Sequence, residues 1–233
     1  MNQKINNASI IKHALILAAG RGLRMQPLTD KIPKAMAPIS GSTLIAERIY
    51  ELKKHISNVH ITVGYKGSIL AKYVIEKDVN SVFNTEGKGN AWWIYNTPLK
   101  NLNEPLLVLT CDNIFDFNYK KFCNDYFTFN LPACMIVPAK YSKIYEADKI
   151  LYDQNNMVKK IDRNIKSESI CSGVQIINPY KINQSTEKCE NFNDVWKQLI
   201  INKDIFCSNY LLKNWHAVDN LYQLDKMNSL RNV

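Results

Sequence analysis

The chain has 233 residues, enough to bury a sizeable core in one domain. Its 46% hydrophobic and 22% charged residues describe a folded globular chain and exclude a disordered one. The net charge of +9 raises nucleic acid, an anionic surface or a polyphosphate as partner. The lysines are scattered, and no aromatic residues interleave them in the base-stacking manner, so the excess reads as a compositional bias and no nucleic-acid partner is expected.

The six cysteines, Cys111, Cys123, Cys134, Cys171, Cys189 and Cys207, form no CxxC pair and no His/Cys cluster, which argues against a structural zinc. Cys111, Cys134 and Cys171 stand in or beside apolar runs and read as buried thiols. The opening MNQKINNASIIKH lacks the apolar core of a signal peptide, and no run reaches the ~20 residues of a membrane span. A reduced, cytoplasmic setting is expected.

Residues 1–12 are polar and expected to be loose. Ala14–Ala19 is a short apolar run closed by glycine, the pattern of a buried parallel strand. After a loop at 20–34, Ser42 or Thr43 is placed to cap a helix carrying Ile45, Ile49, Leu52 and Ile56 at helical spacing. Val59–Val63 predicts a strand, Ser68–Lys77 a helix, Ser81–Phe83 a short strand and Asn90–Asn96 a helix. LLVLTCDN, after Pro105, is the strongest strand signal and ends in Asp112 and Asn113. Tyr119–Phe127 predicts a helix and 133–139 a strand.

Beyond 140 the pattern changes. KILYDQNNMVKKID predicts a hairpin turning at Gln154–Asn156, and ICSGVQIINP a strand closed by Pro179. Phe192–Ile201 predicts a helix whose apolar face includes Trp196, expected in the core. WHAVDN predicts a last strand and Leu221–Leu230 a C-terminal helix. The alternation over 14–139 argues for an α/β fold with a doubly wound sheet. No repeat or linker divides the chain, so one domain is expected over 1–233. Its nucleotide half would be about 13–140 and its acceptor half about 141–233.

The loop after the first strand carries the chemistry. Gly20 and Gly22 follow the strand's C-terminal end, where open α/β sheets bind ligands, and let a ligand approach backbone N–H groups. Arg21 and Arg24 add bidentate donors for phosphate, and Lys34 a point charge. Met25 stands where a dinucleotide turn needs its third glycine, and Pro27 and Pro33 oppose the helix that turn must open. A P-loop ending is absent. Asp112, at the end of a strongly apolar strand, is costly there unless paired or metal-bound; it is alternatively a helix N-cap. Asp116 is a decoy for that role. Asp219 stands between a strand-like run and a helical one, with the same two readings.

LILAAGRGLRMQPLTDKIPKAMAPI resembles the signature of the nucleoside-triphosphate transferase family, the sugar-phosphate nucleotidylyltransferases. LLVLTCDNIF resembles the strand carrying that family's metal-binding aspartate, and ICSGVQIINP its acceptor strand. NFNDVWKQLI with WHAVDNLYQLDKMN resembles the ending of small members acting on muramic-acid phosphate, heptose phosphate or phosphocholine. The resemblance implies a Rossmann-like mixed, mostly parallel sheet flanked by helices. It also implies Mg2+-dependent transfer of a nucleotidyl group to a phosphorylated small molecule with release of pyrophosphate.

By the same resemblance Asp112 and Asp219 hold the metal, and Leu17, Ala18, Ala19, Gly20, Arg21 and Gly22 line the nucleotide. Arg24 and Lys34 act on the phosphates. The base loop is NTEGKGNAWW, where Asn84, Gly89 and Asn90 are candidates; the usual threonine is missing, and CTP or UTP is favoured. Asn113 and Gly173 are placed at the acceptor, with Trp92 as a candidate wall. The acceptor is expected to be a sugar 1-phosphate, with phosphocholine or phosphoglutamine as the alternative, in surface-polysaccharide or envelope precursor synthesis. His216, close to Asp219, is either a neighbour of metal-bound water or a plain strand histidine. A Rossmann oxidoreductase and an inactive nucleotide-binding domain are the competing classes.

Overall fold

In the computed structural model, which describes residues 11–142 and 147–231, the apolar runs become strands of one central sheet. The expected loose segment at 1–12 falls mostly outside the described residues. β1 (His13–Ala18) leads into short turns containing α1 (Leu28–Lys31), then a small hairpin of β2 (Pro38–Ile39) and β3 (Ser42–Thr43). α2 (Leu44–Lys53) follows; of its two candidate caps, Thr43 serves, its side chain accepting from the Ala46 N–H. Next come β4 (Asn58–Val63), α3 (Gly67–Ile75), β5 (Ser81–Asn84), α4 (Trp92–Asn96), β6 (Leu106–Thr110) and β7 (Asn113–Ile114). α5 (Tyr119–Thr128) and β8 (Cys134–Lys140) close the first half.

The second half holds the expected hairpin, β9 (Lys149–Tyr152) and β10 (Val158–Asp162), then β11 (Ser169–Ile177). Asp153 shapes the hairpin turn, its Oδ1 accepting from the N–H groups of Asn155 and Met157. α6 (Pro179–Ser185), α7 (Phe192–Ile201), β12 (Ile205–Cys207), β13 (His216–Ala217) and α8 (Leu221–Arg231) complete the chain. α6 was legible but not foreseen: Asn178 caps it by accepting from the Lys181 N–H, and Pro179 sits at its first turn.

Among the described residues the main sheet has nine strands and runs β10-β9-β11-β6-β1-β4-β5, with β8 on β11 and β12 on β8. β6, β1, β4 and β5 are mutually parallel, and β11 runs antiparallel to both β6 and β8. The sheet is thus mixed, as expected. Alternate residues of β1 serve its two faces. Ala14, Ile16 and Ala18 pack with Ile45, Ile49, Leu70 and Phe122 from α2, α3 and α5. Leu15 packs on the other side with Trp93, Ile182, Val195 and Leu199 from α4, α6 and α7. Burial on both faces explains why the central strands are apolar throughout.

β4 lies on one side of β1 and β6 on the other, which makes the C-terminal ends of β1 and β6 a topological switch point. A third apolar cluster ties the loop after β1 to the C-terminal segment: Met25, Ile39 and Leu44 pack on Ile114, Val218, Leu224 and Met227.

WHAVDN contributes only the two-residue β13, which pairs with β7 in a separate ribbon and not with the main sheet. The loop before α4 is also pinned. The Gly89 N–H donates to Glu190 Oε2 and the Ala91 N–H to the Glu190 carbonyl, both at 2.9 Å. A Cβ on Gly89 would stand 2.1 Å from that carbonyl oxygen. Gly89→Ala is therefore expected to lower stability by about 1–3 kcal/mol, the usual cost of overpacking. A thermal melt indistinguishable from wild type would contradict this packing.

Candidate active site

The switch point is where the charged residues meet. After β1 the chain turns at Gly22, whose φ of +65° starts the short 3-10 turn Leu23–Met25. The Gly22 carbonyl accepts from the Met25 N–H and the Thr29 hydroxyl, and a Cβ there would stand 2.8 Å from Lys34 Cβ. Glycine at this position thus allows both the turn and the close passage of Lys34. Gly20 lies beside it with no heavy atom within 4 Å of its notional Cβ.

On the other side of the switch point β6 ends at Thr110, and Asp112 lies in the turn before β7. Asn113 on β7 pairs with Ala217 on β13, and the Val218 N–H donates to the Asp112 carbonyl at 2.9 Å. This ribbon brings Asp219 beside Asp112. Lys34 Nζ donates to Asp112 Oδ2 at 2.5 Å and to Asp219 Oδ1 at 2.9 Å. The two carboxylate oxygens are therefore no farther apart than the sum of those distances. Arg24 reaches Asp219 Oδ1 at 3.1 Å with its own side chain largely exposed. Burial opposes the Lys34 charge, yet the two carboxylates outweigh it and hold its pKa above the ordinary lysine value.

A residue unforeseen in the sequence supports this ribbon. Arg48 of α2 is buried, lies over the Phe115 ring at 4.2 Å and donates to the Asn113 carbonyl at 2.6 Å. Its position on an otherwise apolar helix face was the available signal. The Asn113 side chain donates in turn to Thr110 Oγ1 and the Ser172 carbonyl, which locks β7 to β11. Gly173 faces that junction with a φ of +79°; a Cβ would stand 2.4 Å from Asn113 Nδ2.

Two cavities share Arg24 and Asp219. One, of about 490 Å³, is lined by Ala18, Gly20, Arg21, Gly22, Arg24, Lys34, Asp112 and Asp219. The other, of about 500 Å³, runs from Leu17, Asn90, Asn113 and Gly173 to Asp148, Gln175, Phe192, Trp196 and Trp215. Trp196 is half-buried in that wall, packed against the core and not inside it: α7 sends Val195 and Leu199 into the apolar cluster, and the Trp196 ring stacks on Phe192 beside the cavity. Trp215 is a second aromatic wall, its Nε1 donating to the Ser172 carbonyl. It opens WHAVDN, whose strand pattern gave no sign that this ring would line a cavity.

Other candidates stand elsewhere. Trp92 lines neither cavity; it opens α4 with Lys88 Nζ 5.6 Å from its ring centre, while its neighbour Trp93 fills the core. Asn84 lines a separate cavity with Gly64, Lys66, Ser68 and Glu86. The Gly89 N–H is engaged by Glu190, and the Asn90 side chain accepts from the Phe192 N–H at the edge of the second cavity. Ala19 lies where the Tyr65 N–H donates to its carbonyl. Asp116 accepts from Asn214 and lines a cavity with Glu47 and Glu51. His216 sits on β13, paired with Ile114. Cys111 and Cys134 are buried as expected, whereas Cys171 is half-buried at the second cavity.

Residues 13–145 match the family model described as nucleotidyl transferase. The chain belongs to this family. A bifunctional protein GlmU from Methanocaldococcus jannaschii is 26% identical over 93% of this chain and 55% of its own. The chain thus spans about half the length of that curated relative. The inositol-1-phosphate CTP transferase structure from T. maritima shares the fold at 20% identity, with a TM-score of 0.75 over 97% of this chain and 96% of that one. The CTP:phosphocholine cytidylyltransferase structure from Streptococcus pneumoniae is 25% identical, with a TM-score of 0.72 over 94% of this chain and 98% of that one.

Proposed function

We propose that this enzyme transfers a nucleotidyl group from a nucleoside triphosphate to a phosphate monoester, a sugar 1-phosphate by preference, and releases pyrophosphate. The observation that carries the proposal is Lys34 bridging Asp112 and Asp219 beside Arg24 and the Gly20–Arg24 backbone. An acceptor phosphate oxygen forms a bond to the α-phosphorus as the bond to the bridging β-oxygen breaks. Arg24 and the loop amides hold the leaving pyrophosphate, and Lys34 neutralises the α-phosphoryl group. No covalent enzyme intermediate is needed.

The acids also fit magnesium. Among the described residues no group of three or more His, Cys, Asp or Glu side chains gathers, so the protein offers two convergent carboxylates. That is the donor set magnesium takes when phosphates and waters complete its octahedron. Bound to Asp112 and Asp219, the ion would supply charge neutralisation for the reacting phosphates.

Both CTP-named structures above support a pyrimidine nucleotide, CTP or UTP. The aromatic walls Phe192, Trp196 and Trp215 support a second reading, a non-sugar acceptor such as phosphocholine. Nucleotide-linked products of this kind feed surface-polysaccharide or envelope synthesis, which starts from cytoplasmic nucleotide. Among the described residues no helix is long and apolar enough to cross a membrane. The test is pyrophosphate release over four nucleotides and a set of phosphate monoesters, with magnesium or with chelator. Release is expected with a pyrimidine nucleotide and magnesium, and its absence from every pair would end the proposal.

A further inference from the structure

Gln175 sits on β11 at the floor of the second cavity and is only 6% exposed. Its Oε1 accepts from the Trp196 indole N–H at 3.0 Å and from the Cys134 thiol at 3.4 Å. An indole nitrogen only donates, so the amide must turn its oxygen to Trp196 and its NH2 group away. That NH2 group donates to none of the described residues. No fully enclosed side-chain nitrogen or oxygen lacks a partner among them, so the group keeps its access through the cavity. Two donors held in so buried a place favour an oxygen on whatever enters.

The rest of the cavity sets the class of that ligand. Phe192 and Trp196 stack at 5.7 Å between ring centres and offer an apolar wall. Asp148, the carboxylate at this end, is already paired with Arg163 at 3.1 Å. That pairing offsets its charge and makes it a weaker partner for a cation. Asn164 and Asn193 continue the polar lining in the adjoining cavity, which shares Asp148, Arg163 and Trp196.

We propose that Gln175, oriented by Trp196, selects the acceptor by donating to a hydroxyl oxygen on its body. The acceptor is then a hydroxyl-bearing phosphate monoester, a sugar or polyol phosphate, in preference to a hydroxyl-free cation. The proposal rests on the nucleotidyl-transfer reading above. The Arg24 and Asp219 end of the cavity takes the acceptor's phosphate, and the Gln175 end takes its hydroxyl face.

Steady-state kinetics with magnesium and saturating nucleotide test this. Wild type is expected to use sugar or polyol phosphates and to turn over phosphocholine poorly. Gln175→Met, of similar length, should raise the acceptor KM about tenfold, the effect of one lost hydrogen bond, and leave the nucleotide KM unchanged. Gln175→Glu keeps an oxygen for Trp196 but loses the donors and should do the same. Trp196→Phe keeps the wall and frees the amide, and should raise the acceptor KM by less; it carries the test should Gln175→Met fail to fold. A folded Gln175→Met enzyme with an unchanged acceptor KM, or a wild type that prefers phosphocholine, overturns the assignment alone. A wild type inactive with every pair overturns the parent reading, and this one with it.

Discussion

Asp112→Asn is expected to lower kcat by about 10³-fold or more if Asp112 is, as proposed, one of two carboxylates that would hold magnesium, a role that contributes several kcal/mol to charge stabilisation. The change keeps size and shape. Lys34 loses the ion pair with Asp112, though the amide oxygen can still accept from it, and retains Asp219 at 2.9 Å, so the resting fold keeps an ion pair at the site. The melting temperature should move by only a few degrees, since the mostly buried Lys34 keeps Asp219 as a partner and is not left as an unpaired charge. Titrating magnesium should show that whatever activity remains needs a higher magnesium concentration for half-saturation. A variant keeping more than about a tenth of wild-type kcat would contradict the role assigned to this carboxylate and the arithmetic behind it.

Lys34→Met is expected to cost about 10² to 10³-fold in kcat, the scale for removing one preorganised donor from a developing charge. It has a second signature. Lys34 is the cation between Asp112 and Asp219, and its removal leaves two carboxylates facing one another. The metal-free variant should melt below wild type, and magnesium should restore much of the difference. Lys34→Arg should not rescue turnover, because a planar guanidinium cannot replace a point charge between two acids. The pKa of Lys34 is raised by its partners, so its contribution to stability is complete below the unfolded value and disappears only as pH rises through the folded one. Its influence is therefore constant across neutral pH. Wild-type turnover in Lys34→Met would remove it from the reaction.

The elements written in local pattern were legible. The apolar run at 14–19 is β1, Thr43 caps α2, the Asp153 turn joins β9 to β10, and α7 spans the residues its periodicity predicts. The elements that assemble the site were not. β7 and β13 have two residues each, too few for alternation to show. The two adjacent tryptophans tell the same story. α4 has five residues, so spacing alone cannot say which ring faces the sheet, and packing sends Trp93 into the core and leaves Trp92 outside both cavities. Trp196 belongs to a regular helix, yet its place in the cavity wall depends on how α7 packs against distant strands.

The sequence by itself determined the strand–glycine–arginine loop, the acid at the end of the strongest strand and the alternation that builds a layered sheet, because turn chemistry and hydrophobic period act over neighbouring residues. Only the tertiary structure decided that Asp219 reaches Asp112 through a two-residue ribbon, that Lys34 stands between them, and that Gln175 turns its donors into a cavity walled by α7. Those are contacts between distant segments. They are set by the apolar cluster joining Met25 and Leu44 to Val218 and Leu224, and by Arg48 holding β7 in place.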